Sequence, residues 1–159
     1  MNKTLVTYFS PTGTTERAAE ALAQAIGADL FEIEPTRPYS RADLNWNDRS
    51  SRSSIEMRDE AARPAIVRTA EDIAAYDVVF VGFPIWWYVE PRIIDTFLET
   101  HDLAGKTIVP FATSGGSGLG KAPQRMQTLV PKATVADGKL LNGRLEDDAL
   151  RAWARDLGL

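Results

Sequence analysis

The sequence predicts an α/β fold: a three-layer sandwich built on a five-stranded parallel sheet, with helices on both faces. Three observations predict it. Short apolar runs rich in β-branched and aromatic residues alternate along the chain with segments of helical period. Most of these runs are continuously apolar, as in strands covered on both sides. Turn residues punctuate every transition, and right-handed crossovers then place all strand-to-helix loops on one edge, at the carboxyl ends of the strands.

The first strand is Leu5-Val6-Thr7-Tyr8-Phe9, followed by the turn Ser10-Pro11-Thr12-Gly13-Thr14-Thr15. An alanine-rich helix follows, with Ala18, Leu22, Ala25 and Ile26 on its inner face and Gly27 as its stop. Residues 29–34 read as a short edge strand carrying Leu30, Phe31 and Ile33. Residues 35–64 form a long polar connection, rich in Arg and Ser, with Tyr39 and Trp46 standing out and a helix expected over 55–62. A helical turn at 70–76 leads into the buried strand 77–83. After Pro84-Ile85-Trp86-Trp87-Tyr88-Val89-Glu90, a helix begins at Pro91 with Ile94, Phe97 and Leu98 inward. The strand 106–113 empties into Ser114-Gly115-Gly116-Ser117-Gly118-Leu119-Gly120, and a helix then runs to about Val130. A weaker fifth strand is expected over 133–141. The last helix, 146–157, places Leu150, Trp153, Ala154 and Leu157 on one face and Glu146, Asp147 and Asp148 at its positive end.

With 159 residues, 44% of them hydrophobic, the chain is expected to form a single domain over 1–159. Its net charge of −4 and scattered basic residues argue against nucleic acid. No apolar stretch reaches the ~20 residues of a membrane helix, and no signal segment precedes the first strand, so the expectation is a cytoplasmic protein. The absence of cysteine removes disulfides, thiolate metal sites and a phosphatase of the low-molecular-weight type. His101 is the only histidine, expected near the end of the third helix and away from the loop edge, so no histidine metal cluster is available. No GxxxxGK[ST], GxGxxG or GxSxG motif occurs, and Tyr8-Phe9-Ser10 stands where a receiver domain carries acids.

Three of the loops on that edge are unusual, and they converge on one crevice. The first offers four hydroxyls, a flexible Gly13 and the N-terminus of a helix, which suits an anion. It contains no Lys or Arg, so a phosphate there is expected to be held without a cationic counter-charge. The second offers Trp86, Trp87 and Tyr88 in succession. They cannot all point inward, so at least one is free to stack on a flat ring. The third can bring backbone N–H groups against the carbonyl edge of that ring. A phosphate, a planar heterocycle and a sugar-like chain between them describe flavin mononucleotide (FMN).

These residues make the chain similar to the flavodoxin family over essentially its whole length. SPTGTT resembles the family's phosphate loop, and PIWW and TSGGSG stand in the places of its two ring-binding loops. The resemblance is to the short-chain type, and Asp43-Leu44-Asn45-Trp46, Ser51-Arg52-Ser53-Ser54 and Arg63-Pro64 look more like a bacterial subgroup than the strongly acidic carriers. It implies strand order 2-1-3-4-5, with flavin at the switch point between the first and third strands. It also implies non-covalent FMN held by Ser10, Thr12, Gly13, Thr14, Thr15, Pro84, Ile85, Trp86, Trp87, Tyr88, Thr113, Ser114, Gly115, Gly116, Ser117 and Gly118. The function implied is electron transfer with no catalytic residue of the protein's own. Its partner would be a redox protein or an NAD(P)H-linked reductase, with the chain a monomer or a homodimer. Two other readings stay open: an NAD(P)H-dependent quinone or flavin reductase on the same fold, and a non-redox module that binds a phosphate-bearing ligand.

Overall fold

The computed structural model describes residues 3–114 and 118–159. Strand β1 (Thr4–Tyr8) lies inside the sheet, parallel to β2 (Asp29–Glu32) on one side and to β3 (Val78–Pro84) on the other. β3 pairs with β4 (Thr107–Thr113), which pairs with the fifth strand, so the order is 2-1-3-4-5. The polar side chain inside β1 is satisfied locally: the Thr7 hydroxyl donates to Phe80 O at 2.8 Å.

The fifth strand is broken, against the expectation of one run over 133–141. It consists of β5 (Thr134–Val135) and β6 (Lys139–Leu140), both parallel to β4. Pro110 explains the break. The carbonyls of Lys106, Ile108 and Ala112 accept from Thr134, Ala136 and Leu141, so this edge of β4 bonds at alternate residues. Pro110 falls in that series and has no N–H to give. The partner strand bulges there. Val135 faces Ile108 and Lys139 faces Phe111, which leaves one extra residue in the partner. Gly138 takes up the bend at φ +81, where a Cβ would collide with Pro110 O.

Helices α1 (Thr14–Ile26) and α5 (Asp147–Asp156) cover one face, burying Leu22 and Leu150 against Val6, Phe80 and Phe111. Trp153 closes this layer edge-on to Phe80. The other face is covered by α3 (Arg92–Thr100) and α4 (Ala122–Leu129). Ile94, Phe97 and Met126 pack there against Val79, Phe83 and Ile108. In the long connection, α2 (Arg52–Arg58) starts three residues before the expected 55–62. The Ser51 hydroxyl accepts from Ser54 N–H and fixes the start, while Ile55, which drew the expectation, is exposed.

His101 follows α3 at the amino edge of the sheet and has a structural role. Its Nε2 accepts from Ala70 N–H at 2.9 Å, so its Nδ1–H donates to Phe97 O at 2.8 Å and the ring is neutral. Among the described residues no helix is long and apolar enough to cross a membrane.

Candidate functional site

The three loops meet at the carboxyl edge, and Thr113, the last residue of β4, joins them. Its hydroxyl shares a hydrogen bond of 2.8 Å with that of Thr15, at the start of α1. Its carbonyl accepts from Ile85 N–H at 3.0 Å, tying the aromatic loop to the same point. The chain then runs into Ser114, whose N–H donates to Asn142 Oδ1 and whose carbonyl accepts from Asn142 Nδ2. Asn142 thus brings a fourth loop, after β6, into the site. Sequence reasoning missed it; the only signal was Asn-Gly directly after the last strand.

In the first loop the four hydroxyls are not equivalent. Ser10 Oγ accepts from Glu16 N–H at 2.9 Å and caps α1, and Thr15 is buried against Thr113. Thr12 and Thr14 are the exposed pair, flanking Gly13 at the helix N-terminus. The expectation of an anion site without a nearby cation is corrected. The loop itself has none, but Arg17, in the next turn of α1, places Nη1 3.6 Å from where a Cβ of Gly13 would stand. Helical spacing carries it back over the loop.

The aromatic loop is a tight two-residue turn. Trp86 N–H donates to Val89 O at 3.0 Å and Val89 N–H to Trp86 O at 3.2 Å, with Trp87 at φ 50 and Tyr88 at φ 68 between them. Positive φ at both central residues defines the I′ geometry that Asn-Gly normally supplies. Here two bulky aromatics bear it, at a cost of about 1 kcal/mol or more each. The three rings divide accordingly. Trp86 turns inward, edge-on to Phe9 and Tyr39 with centroids 5.7 and 5.6 Å away, while Trp87 and Tyr88 are 45% and 70% exposed. Pro84 ends β3, and the turn rests on the third loop: Lys121 N–H donates to Tyr88 O, and Gly120 packs so closely on that carbonyl that a Cβ would collide with it. Gly118 is exposed beside it. Gly115, Gly116 and Ser117 lie outside the described residues.

The long connection is locked to this edge by Tyr39. Its ring meets Phe9 edge-on, the Arg52 guanidinium lies 3.7 Å over it, and its hydroxyl donates to Glu56. Burial, and then the bond and charge of Glu56, hold that phenol well above its ordinary range. Beyond Tyr39 the connection carries Trp46, 70% exposed, on a groove of about 950 Å³ shared with Pro11, Thr12, Arg41 and Leu44. Trp46 therefore does not cover a core edge.

Beneath the aromatic turn lies a charged cluster with no counterpart in the sequence reading. Glu90 and Asp95 are fully buried and Arg92 nearly so. Asp95 Oδ2 lies 3.7–3.8 Å from Arg92, Arg125 and Arg63, and Glu90 Oε1 lies 3.6 Å from Arg125 Nε. Arg92 also donates to the carbonyls of Glu56 and Met57, which end α2. Burial first, and then the hydrogen bond and charge of Asp95, push the Glu90 carboxyl well above the usual carboxylate range.

A parallel sheet in this order, with a hydroxyl-rich turn after β1 and an aromatic loop after β3 at its carboxyl edge, defines an α/β protein of the doubly wound type. The chain belongs to the flavodoxin family, whose model matches residues 3–157. A crystal structure from Bacteroides eggerthii, described as a flavoprotein, is 52% identical with a TM-score of 0.96, covering 100% of this chain and 99% of that one. A Lactobacillus acidophilus flavoprotein solved in complex with FMN has a TM-score of 0.74 at 23% identity, over 97% of this chain and 99% of that one. A curated rat protein, NAD(P)H dehydrogenase [quinone] 1, is 26% identical over 158 residues and 91% of this chain. The chain spans only 56% of the rat protein's length.

Proposed function

We propose that residues 1–159 act as one domain that binds FMN non-covalently at the carboxyl edge and transfers electrons through it. The observation that carries the reading is the strained Trp87–Tyr88 turn, tied through Thr113 to a phosphate-type helix N-terminus. Strain of this kind persists where surrounding structure holds it for a use. In this reading Thr12, Thr14 and the N–H groups opening α1 hold the phosphate, with Arg17 supplying charge from the side. Ser10 and Thr15 shape the loop rather than bind directly. Pro84, Ile85 and Trp86 form the floor, Trp87 and Tyr88 face the ring, and Thr113, Ser114 and Gly118 bring backbone groups to its edge, with Gly115, Gly116 and Ser117 completing that loop. Bound flavin supplies the redox chemistry, and the protein supplies orientation, dielectric and charge.

The test is flavin titration of the apoprotein with T12V/T14V beside the wild type. Two hydrogen bonds to a charged group are worth about 3 kcal/mol together, so affinity should fall about 100-fold. An unchanged affinity contradicts the reading and favours a module for some other phosphate-bearing ligand.

A second reading, an NAD(P)H-dependent quinone or flavin reductase, is supported by the likeness to the rat dehydrogenase. Fast anaerobic bleaching of the bound flavin by NADPH alone identifies a reductase. Slow bleaching that a reductase protein accelerates identifies a carrier, working in the cytoplasm with a redox partner.

A further inference from the structure

The groove at Trp46 joins the long connection, which follows β2, to the first loop, which follows β1. In the observed strand order β2 lies on one side of β1, while β3 and β4, which carry the aromatic turn and the third loop, lie on the other. The groove is therefore a separate place from the ring crevice, with Thr12 between the two. At about 950 Å³ it stands at the upper end of the volumes that take small molecules.

Trp46 is presented there by a braced backbone. Ser40 N–H donates to Asp43 Oδ2 at 2.9 Å, and Asp43 N–H donates back to Ser40 Oγ at 3.0 Å. Ser53 N–H donates to Asp43 O and the Ser54 hydroxyl to Asp48 O, which ties the segment to α2 on both sides of Trp46. The indole itself is 70% exposed and has no ring or cation partner among the described residues.

The polar side chains left over in the groove can all donate. No carboxylate lines it. Arg41, its single charged residue, is exposed and makes no ion pair among the described residues. Asn45 Oδ1 is taken by Asn47 N–H, which leaves the Asn45 amide its N–H groups to give. The backbone carbonyls of Arg41, Ala42 and Asn45 already accept from Leu44, Asn45 and Asp48. Tyr39 is committed as well, its hydroxyl to Glu56 and its ring to the Arg52 guanidinium. What remains is an open indole face, a guanidinium, an amide donor and the Thr12 hydroxyl. A matching ligand is flat, carries acceptor oxygens and is negatively charged.

We propose that this groove binds a second small molecule, a flat aromatic anion whose ring lies on Trp46 and whose acidic group pairs with Arg41. This site goes beyond the FMN reading and rests on it only for its neighbour: with FMN bound, the two ligands adjoin at Thr12. Trp46 supplies affinity for the ring whatever its charge, and Arg41 supplies the choice of an anion.

The experiment is equilibrium dialysis with 2-naphthoate and its neutral counterpart 2-naphthamide, on wild type, W46A, R41Q and R41K, each with and without saturating FMN. Wild type should bind one naphthoate per chain about tenfold tighter than the amide, the share of one charge-assisted contact at an exposed site. R41Q should lose that preference with amide binding unchanged, and R41K, which keeps the charge, should restore most of it. W46A should weaken both probes about tenfold. Saturating FMN should leave one naphthoate bound per chain. Equal affinity for the two probes, or a preference that survives R41Q, overturns the anion site. Displacement of naphthoate by FMN, or loss of FMN affinity in W46A, gives the groove to the cofactor and overturns it too. If no variant binds FMN while naphthoate binds as described, the FMN reading fails and the groove stands as a ligand site. If FMN binds and naphthoate does not, the groove fails and the FMN reading stands.

Discussion

Trp87 and Tyr88 hold backbone angles that Asn and Gly adopt without cost, and both side chains are largely outside the core. Relaxing them should separate fold from function. W87N/Y88G should raise the stability of the apoprotein by about 1–3 kcal/mol, or roughly 2–4 °C per kcal/mol in Tm, while FMN affinity drops at least about tenfold. A stability loss of that size would mean the rings serve packing instead. Arg17 gives a second test at this scale. Its guanidinium is exposed, so R17A should weaken FMN only about threefold, and the deficit should vanish in high salt, where an exposed charge pair is screened. The residues of the first loop were legible in the sequence because a strand, a hydroxyl-rich turn and a helix start have one local meaning. The division of labour among them was not. That Ser10 caps, that Thr15 bonds Thr113, and that only Thr12 and Thr14 face outward are consequences of side-chain direction and of a strand 98 residues away.

At the scale of elements, β1, β3 and β4 were legible because continuous apolar runs admit little else. The fifth strand was read as unbroken because the cause of its break sits in another strand, at Pro110, and acts only through pairing. G138A should cost about 2 kcal/mol or more, since alanine there is strained in backbone and meets Pro110 O; equilibrium urea unfolding measures it. A neutral result would show that the bulge can close without that close approach. Placement of α2 shows the same limit. The apolar Ile55 suggested its centre, yet the Ser51 cap and the grip of Arg92 on the carbonyls of Glu56 and Met57 set its ends. The connection carrying it was legible as a long polar segment, but its lock, Tyr39 between Phe9, Trp86, Arg52 and Glu56, joins residues too far apart for any periodicity to reveal.

Across the whole molecule, the titration of one buried group tells on stability. His101 is held neutral, its value lowered first by burial, because Ala70 N–H occupies Nε2. A base lowered in the fold contributes stability that is present above its ordinary 6.5 and is lost as pH falls through and below it. Wild type should therefore lose stability below about pH 6.5, and H101Q should flatten that limb; denaturant midpoints across pH measure it. Convergence of three odd loops on one edge was legible because parallel topology dictates it, and the observed strand order puts them there. The charged cluster beneath was not, since Glu90, Asp95 and the half-buried Arg125 look like ordinary surface residues until packing brings them together. The central claim is that this edge is a flavin site, and the most direct measurement is the visible absorption spectrum of the purified protein before and after adding FMN. A flavin spectrum that stays with the protein through gel filtration, at one flavin per chain, is the predicted result. A colourless protein that passes through with no flavin after FMN is supplied would contradict it.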